Sequence, residues 1–152
     1  MRVIHYFSPM SGFAYLGVAE LCAVAKRHGA EVDHRPVDIA RVFAAIDTIA
    51  PARQAPARLA WRRKDKARWA RDEDIASEST LTALAKACGL DAVKLLSDAS
   101  SDAMAAAYDA NTQDAIAHGV IGSPTMRIAE ENFFGQDRLD FVEAELVRIN
   151  LA

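Results

Sequence analysis

The spacing of apolar positions changes several times along the chain, and each change marks a new element. Val3 to Phe7 mixes β-branched and aromatic residues as a buried strand does, and Ser8-Pro9-Met10-Ser11-Gly12 breaks it. Phe13 to His28 then reads as a helix, with Phe13, Leu16, Ala19 and Ala23 on one face at three- and four-residue steps. Lys26, Arg27 and His28 crowd its end, which suits the helix dipole, and Gly29 stops it. Glu31 to Val37 is a short second strand. A strand, a helix and a strand in this order predict two parallel strands joined by a right-handed crossover.

From Asp38 to about His118 the pattern turns helical and Ala-rich. Asp38 caps a helix over Ile39 to Ile49, and Pro51 and Pro56 interrupt the chain after it. Ala57 to Ile75 is a charged helix carrying Leu59, Trp61 and Trp69. Ser79 caps Thr80 to Cys88, which Gly89 ends, and Asp91 caps Ala92 to Leu96. Ser100 or Ser101 caps the next helix, which Gly119 ends. After the turn Val120-Ile121-Gly122-Ser123-Pro124, Thr125 to Ala129 reads as a strand. Glu130-Glu131-Asn132 reads as a hairpin loop and Phe133-Phe134 as the return strand. Gly135-Gln136-Asp137 opens a last helix whose buried face is Leu139, Val142, Leu146 and Ile149. The order is βαβ, then helices, then ββα. Residues 1–37 and 119–152 are expected to complete one small mixed sheet, with 38–118 inserted as a helical subdomain.

Length and composition narrow the class. The 152 residues suit one domain, and 51% hydrophobic with 26% charged residues builds a core without disulfides or metals. A net charge of −3 gives no global reason to expect nucleic acid or an anionic membrane surface. No apolar run approaches the ~20 residues that cross a bilayer. The N-terminus lacks the apolar stretch and cleavage site of a signal peptide, so a cytoplasmic location is the default expectation. Cys22 and Cys88 both sit in helix-like segments and read as buried small hydrophobes, not as a bridge. There is no internal repeat, no phosphate-binding glycine loop and no Cys/His cluster with zinc spacing.

Five local patterns, in order, carry a resemblance. Ser11-Gly12-Phe13-Ala14-Tyr15-Leu16-Gly17 is similar to the segment that starts the first helix of 2-hydroxychromene-2-carboxylate isomerases and kappa-class glutathione transferases. Gly119-Val120-Ile121-Gly122-Ser123-Pro124-Thr125 resembles their loop with a cis proline, and Phe134-Gly135-Gln136-Asp137-Arg138-Leu139 resembles their start of the last helix. Val37-Asp38-Ile39-Ala40-Arg41-Val42 and Lys66-Ala67-Arg68-Trp69-Ala70 resemble the isomerase pattern between these ends. The resemblance implies an α/β, thioredoxin-like fold with an inserted, shortened helical domain. The family is several tens of residues longer, with the missing stretch between Ala70 and about Thr80. Gly12 stands where the family has Pro, and Thr48 and Arg53 stand where isomerases carry site asparagines. The glutathione end is therefore better supported than the isomerase chemistry.

The resemblance assigns roles to particular residues. Thioredoxins place Cys-x-x-Cys at the first helix N-terminus, where unpaired N–H groups and the dipole stabilise a thiolate. Here Ser11-Gly12-Phe13-Ala14 stands there with no cysteine nearby, so the protein is not expected to do dithiol exchange itself, and a disulfide oxidoreductase is the least favoured reading. Ser11 is instead expected to donate a hydrogen bond to the thiolate of bound glutathione; its plain alternative is an N-cap, and Ser8 is a rival. Pro124 is expected to be cis, exposing the Ser123 backbone to the cysteinyl part of glutathione; the alternative is a trans proline in a turn. Gln136 and Asp137 are expected to hold the γ-glutamyl group, with Asp137 facing its ammonium or capping the last helix. Arg53 through Arg71 carries eight basic residues and one acid, Asp65. Arg53 and its neighbours are assigned either to carboxylates of glutathione or of an aromatic acid, or to a solvated helix face. A nucleic-acid patch is the least favoured use, and Trp61 and Trp69 read as core or pocket wall. Tyr15 is a pocket wall or a packing residue. None of His5, His28, His34 and His118 has a Ser/Asp partner evident in sequence, and His28 and His118 suit helix C-termini.

The leading expectation is a glutathione-dependent isomerase acting on a small conjugated aromatic acid. A kappa-class-like transferase and a non-catalytic binding module are the alternatives. The family often pairs, so a homodimer is an expectation.

Overall fold

The computed structural model describes residues 1–49, 53–60, 64, 79, 82, 85–86 and 91–151. The expectations for the charged helix at 57–75, for Thr80 to Cys88 and for Trp61 and Trp69 lie outside or largely outside these residues. Four strands form one mixed sheet in the order β2-β1-β3-β4. They are β1 (Arg2–Phe7), β2 (Glu31–Pro36), β3 (Thr125–Ile128) and β4 (Glu131–Phe134). β1 pairs with β2 in parallel, His5 opposite His34, and with β3 antiparallel; β3 and β4 form an antiparallel hairpin. The helices are α1 (Gly12–Arg27), α2 (Ile39–Ala45), α3 (Ala92–Ala99), α4 (Asp102–Ala117) and α5 (Leu139–Asn150), the last preceded by a 3₁₀ turn over Gln136–Arg138.

Strand alternation divides the core in two. Val3, Met126 and Ile128 point to one face, where α1 supplies Leu21 and Val24 and α5 supplies Val142 and Leu146. Tyr6 points to the other face and packs with Val37, Val42, Ala115 and Val120. Leu139 and Ile149 pack against the first core, as their spacing predicts.

Several boundaries and faces differ from the sequence reading. α1 buries Ala14, Leu21, Val24 and Ala25, whereas Ala19 is exposed and Phe13, Leu16 and Ala23 are only half-buried. This helix is apolar most of the way round, so periodicity does not select a face; packing on the sheet does, with Leu21 and Val24 entering the core beside Val3 and Met126. Cys22 is exposed and not a buried hydrophobe; Cys88 lies outside the described residues. α2 stops at Ala45 and not Ile49, because Asp47 takes a left-handed conformation (φ 50°). Asp47 N–H then donates to Ala44 C=O and Thr48 N–H to Phe43 C=O, which closes the helix. α3 runs on to Ala99, and Ser101 is the residue that caps α4. The hairpin turn is Ala129-Glu130, and Glu131 and Asn132 already pair with β3. The buried Arg127 guanidinium draws the turn in by donating to Glu130 C=O (3.1 Å), the Glu130 carboxylate (2.7 Å) and Asn132 Oδ1 (3.3 Å). Among the described residues, no helix is long and apolar enough to cross a membrane.

Candidate thiol-binding site

The site forms where β1 ends and α1 begins. Ser11 is the N-cap of α1: its backbone is extended and its Oγ accepts from Ala14 N–H at 3.3 Å. The same hydroxyl donates to the Ser123 carbonyl at 3.2 Å. Capping and contact with the proline loop are thus one arrangement, not rivals. The Ser123–Pro124 peptide is cis, as the resemblance implies. Ser8 is buried and already committed, its N–H donating to Ser123 Oγ (2.8 Å) and its Oγ accepting from Met10 N–H (3.3 Å). Ser11 is half-buried and reaches the surface, which leaves it better placed than Ser8 to meet a ligand.

The last predicted element arrives through the sheet. Gly135 N–H donates to Pro124 C=O at 2.9 Å, which fixes the 3₁₀ turn beside the proline loop. Gln136 sits against α1 so closely that a Cβ on Gly17 would lie 3.0 Å from Gln136 Cβ. Gln136 Oε1 is buried and has no hydrogen-bond partner among the described residues. Asp137 is exposed, folded back over Gly135, and 3.8 Å from the Arg138 guanidinium. No side chain caps the 3₁₀ turn or α5, so Asp137 is not used as the cap that was its alternative reading. Arg53 is exposed, and no hydrogen bond or ion pair among the described residues joins it to this cluster. The structure thus gathers Ser11, Ser123, Pro124 and Gln136, sets Asp137 at their edge, and leaves Arg53 unconnected.

Sequence reasoning missed the reasons behind two glycines. Gly17 permits the close approach of Gln136. A Cβ on Gly122 would stand 2.3 Å from the Phe134 ring, so the half-exposed Phe134 lies directly over the proline loop. With Met10, Tyr15 and Ile121, all exposed, it gives this end of the molecule an apolar surface around Ser11. Gly122 stands in the proline-loop motif, but nothing in the chain names the ring opposite it.

Histidine partners were also hidden. Tyr6 donates to Asp114 Oδ2 at 2.5 Å and lies 3.2 Å from His118 Nδ1, and Arg35 bridges Asp114 (2.7 Å) to Asp33 (2.8 Å). Burial pushes up the Tyr6 phenol, and its bond to Asp114 adds to this. Burial alone would raise Asp114, but Tyr6, His118 and Arg35 together hold it below the usual carboxylate range. The acid partner of His118 was findable, since Asp114 lies four residues earlier on the same helix. His28 pairs with Glu143 at 2.9 Å, so both histidines sit at helix C-termini as expected. Among the described residues, these contacts join histidine to tyrosine and carboxylates.

A four-stranded mixed sheet, α1 and α5 on one face, α4 on the other and a cis proline facing the α1 N-terminus define a thioredoxin fold. In this one, Ser11 stands at the α1 N-terminus. The family model of the DSBA-like thioredoxin domain matches residues 48–147, and the chain belongs to that family. A 2-hydroxychromene-2-carboxylate isomerase of Sphingobium xenophagum is 26% identical over 187 residues, spanning 93% of this chain and 96% of the relative. One from Pseudomonas putida is 26% identical over 194 residues, spanning 98% and 96%. A solved structure of 2-hydroxychromene-2-carboxylate isomerase matches with a TM-score of 0.78 at 25% identity, covering 98% of this chain and 96% of that one.

Proposed function

We propose that this protein is a glutathione-dependent isomerase of the 2-hydroxychromene-2-carboxylate isomerase type, acting on a small conjugated aromatic acid. The observation that carries the reading is the Ser11 hydroxyl, held at the α1 N-terminus and aimed at Ser123 beside the cis proline. The names of the relatives supply the reaction class. Glutathione, when bound, supplies a thiol able to add reversibly to a conjugated double bond and leave again after rotation.

The residues present suit that group. Ser11 would turn its proton from Ser123 C=O to the sulfur, and the α1 N-terminus would favour the thiolate. Release of Ser123 C=O frees a backbone acceptor for the cysteinyl N–H. Gln136 Oε1 is a buried acceptor without a donor, a costly state that an incoming N–H group would relieve. Asp137 offers an exposed carboxylate, only loosely paired with Arg138 at 3.8 Å, for an ammonium. Phe134, Met10 and Ile121 would pack on the aromatic substrate and shield the sulfur from water. Arg53 remains a candidate partner for a carboxylate.

The test is glutathione titration by calorimetry near pH 7, followed by an ultraviolet thiolate signal and an isomerisation assay with chromene-type acids. Ser11→Ala is expected to lose the thiolate signal at pH 7 and about 1 kcal/mol of stability with the cap. Ser11→Asp separates the two roles: it keeps the cap on Ala14 N–H but offers no proton, loses the bond to Ser123 C=O and repels a thiolate, so it is expected to keep α1 capped and lose activity. Unchanged turnover in Ser11→Asp would sink the assignment, and absence of glutathione binding by the wild type would sink the cofactor.

A further inference from the structure

We propose that Cys22, His34 and His5 form a second, reactive-thiol site that exchanges with small disulfides, with Cys22 as nucleophile, His34 as its proton acceptor and His5 positioning His34. Parallel pairing sets His5 directly opposite His34, and strand alternation turns both toward α1. Their Nδ1 atoms are 2.9 Å apart, so one ring donates to the other. Cys22 Sγ on α1 lies 3.9 Å from His34 Nε2, the far nitrogen of that ring. This separation is long for an S–H···N bond, and rotation of the exposed Cys22 side chain can shorten it. The order is nucleophile, imidazole, then a third group on the other nitrogen, which is the pattern of an activated nucleophile.

Burial runs in the matching direction. Cys22 and His34 are exposed at the β2 edge of the sheet, where a reagent can reach them. His5 is 2% exposed and stacks on Phe7, with ring centroids 5.2 Å apart, so it is held in place. Burial, with the nearby His34, keeps His5 neutral, its pKa lowered to about 4, and in the tautomer that carries its proton on Nε2 the His5 Nδ1 is an acceptor. With His34 Nδ1–H donating to it, His34 Nε2 carries the lone pair that faces Cys22. Once His34 takes the thiol proton, its two N–H groups point at the thiolate and at His5. Burial holds the His34 imidazole below its ordinary value, which disfavours that positive charge, and Asp33, next to it on β2, opposes the shift only in part. The three donor atoms do not converge on one point, so this arrangement suits proton transfer and not a metal ion.

In the exchange, the Cys22 thiol proton passes to His34 Nε2 and the thiolate attacks one sulfur of the disulfide. The disulfide bond breaks, a Cys22 mixed disulfide forms, and the departing thiolate takes the proton from His34. Cys22 is oxidised and the departing sulfur is reduced, with the small disulfide as oxidant. This site is eleven residues along α1 from Ser11, roughly 16 Å at 1.5 Å per residue. It neither uses Ser11 nor depends on the isomerase reading.

The experiment uses the full chain carrying Cys88→Ser, which leaves Cys22 as the single thiol. An aromatic disulfide that releases a coloured thiol gives the rate from pH 6 to 10, and oxidised glutathione gives the product. An ordinary thiol is only a few per cent thiolate near pH 7, so added His34→Gln is expected to slow the reaction about tenfold there. The parent's advantage over His34→Gln should shrink as pH rises, because hydroxide then removes the thiol proton in place of His34. His5→Leu should move the pH profile toward that of His34→Gln, and His5→Gln, which restores an acceptor oxygen, should move it back. Oxidised glutathione should add one glutathionyl group to the Cys22 peptide, reversibly on reduction. Equal rates for the parent and His34→Gln across the range would overturn the proposal, as would failure to form the mixed disulfide. His34 is exposed, so its variant remains a valid test even where a His5 variant does not fold.

Discussion

Ser11 and Gly122 show how much a single position carries in this protein. Ser11 closes the first turn of α1 and touches the proline loop with one hydroxyl. Gly122 leaves room for the Phe134 ring. Gly122→Ala is therefore expected to push that ring outward. The ring is half-exposed and can swing, so the cost should sit at the low end of overpacking, about 1 kcal/mol. In a Phe134→Ala background the same change should be nearly neutral, a coupling that a double-mutant cycle by urea denaturation would measure. If the cost is unchanged without Phe134, the contact is not its cause. Ser11 was legible in sequence because a capping residue and Tyr15-Leu16 stand at a recognisable spacing. The Phe134 contact was not, because it joins residues of the loop and the hairpin that meet only after β3 and β4 pair.

The helices owe their ends to local signals and their faces to their neighbours. α1, α2 and α4 all close with the same pair of backbone bonds, with Gly29, Asp47 and Gly119 in the left-handed position. The two glycines are readable as stops. Asp47 is not, since an aspartate is equally acceptable inside a surface loop or in a helix turn, and so α2 reads too long in sequence. Entry to α2 depends on another helix: Asp38 N–H donates to Thr112 Oγ1 of α4 at 2.9 Å, and that hydroxyl donates onward to Tyr108 C=O at 2.7 Å. Thr112 is fully buried. Thr112→Val keeps the shape but leaves the Asp38 N–H without a partner, and should cost about 1–3 kcal/mol. Faster amide exchange at Asp38 and in the first turn of α2, with α1 unaffected, would locate the effect; uniform exchange would refute it.

Both faces of the sheet are covered, and each holds a shifted titratable group, His5 by burial and Asp114 by its partners. On the α1 face, His5 stays neutral down to about pH 4, whereas in the unfolded chain it takes up a proton near 6.5. Between these values the unfolded state binds the extra proton, so stability falls as pH drops through the window, by at most about 3 kcal/mol. On the α4 face, Asp114 is held below its ordinary range, so the stability it contributes is lost at still lower pH. Urea midpoints should therefore decline from pH 6.5 to 4, and His5→Gln should flatten that part of the curve; an unaltered slope would assign it elsewhere. Chain order, strand and helix types, most caps and the serine, proline and glutamine of the candidate site were all readable before folding. The elements and caps rest on short-range chemistry, namely alternation, capping and glycine stops, and the site residues rest on the resemblance of their motifs to the isomerase family. The buried face of α1, the exposure of Cys22, the Phe134 ring over Gly122 and the pairing of His5 with His34 were not. Each joins residues that a sheet of order β2-β1-β3-β4 brings together across long stretches of chain, and a contact of that kind leaves no periodic trace in either partner's local sequence.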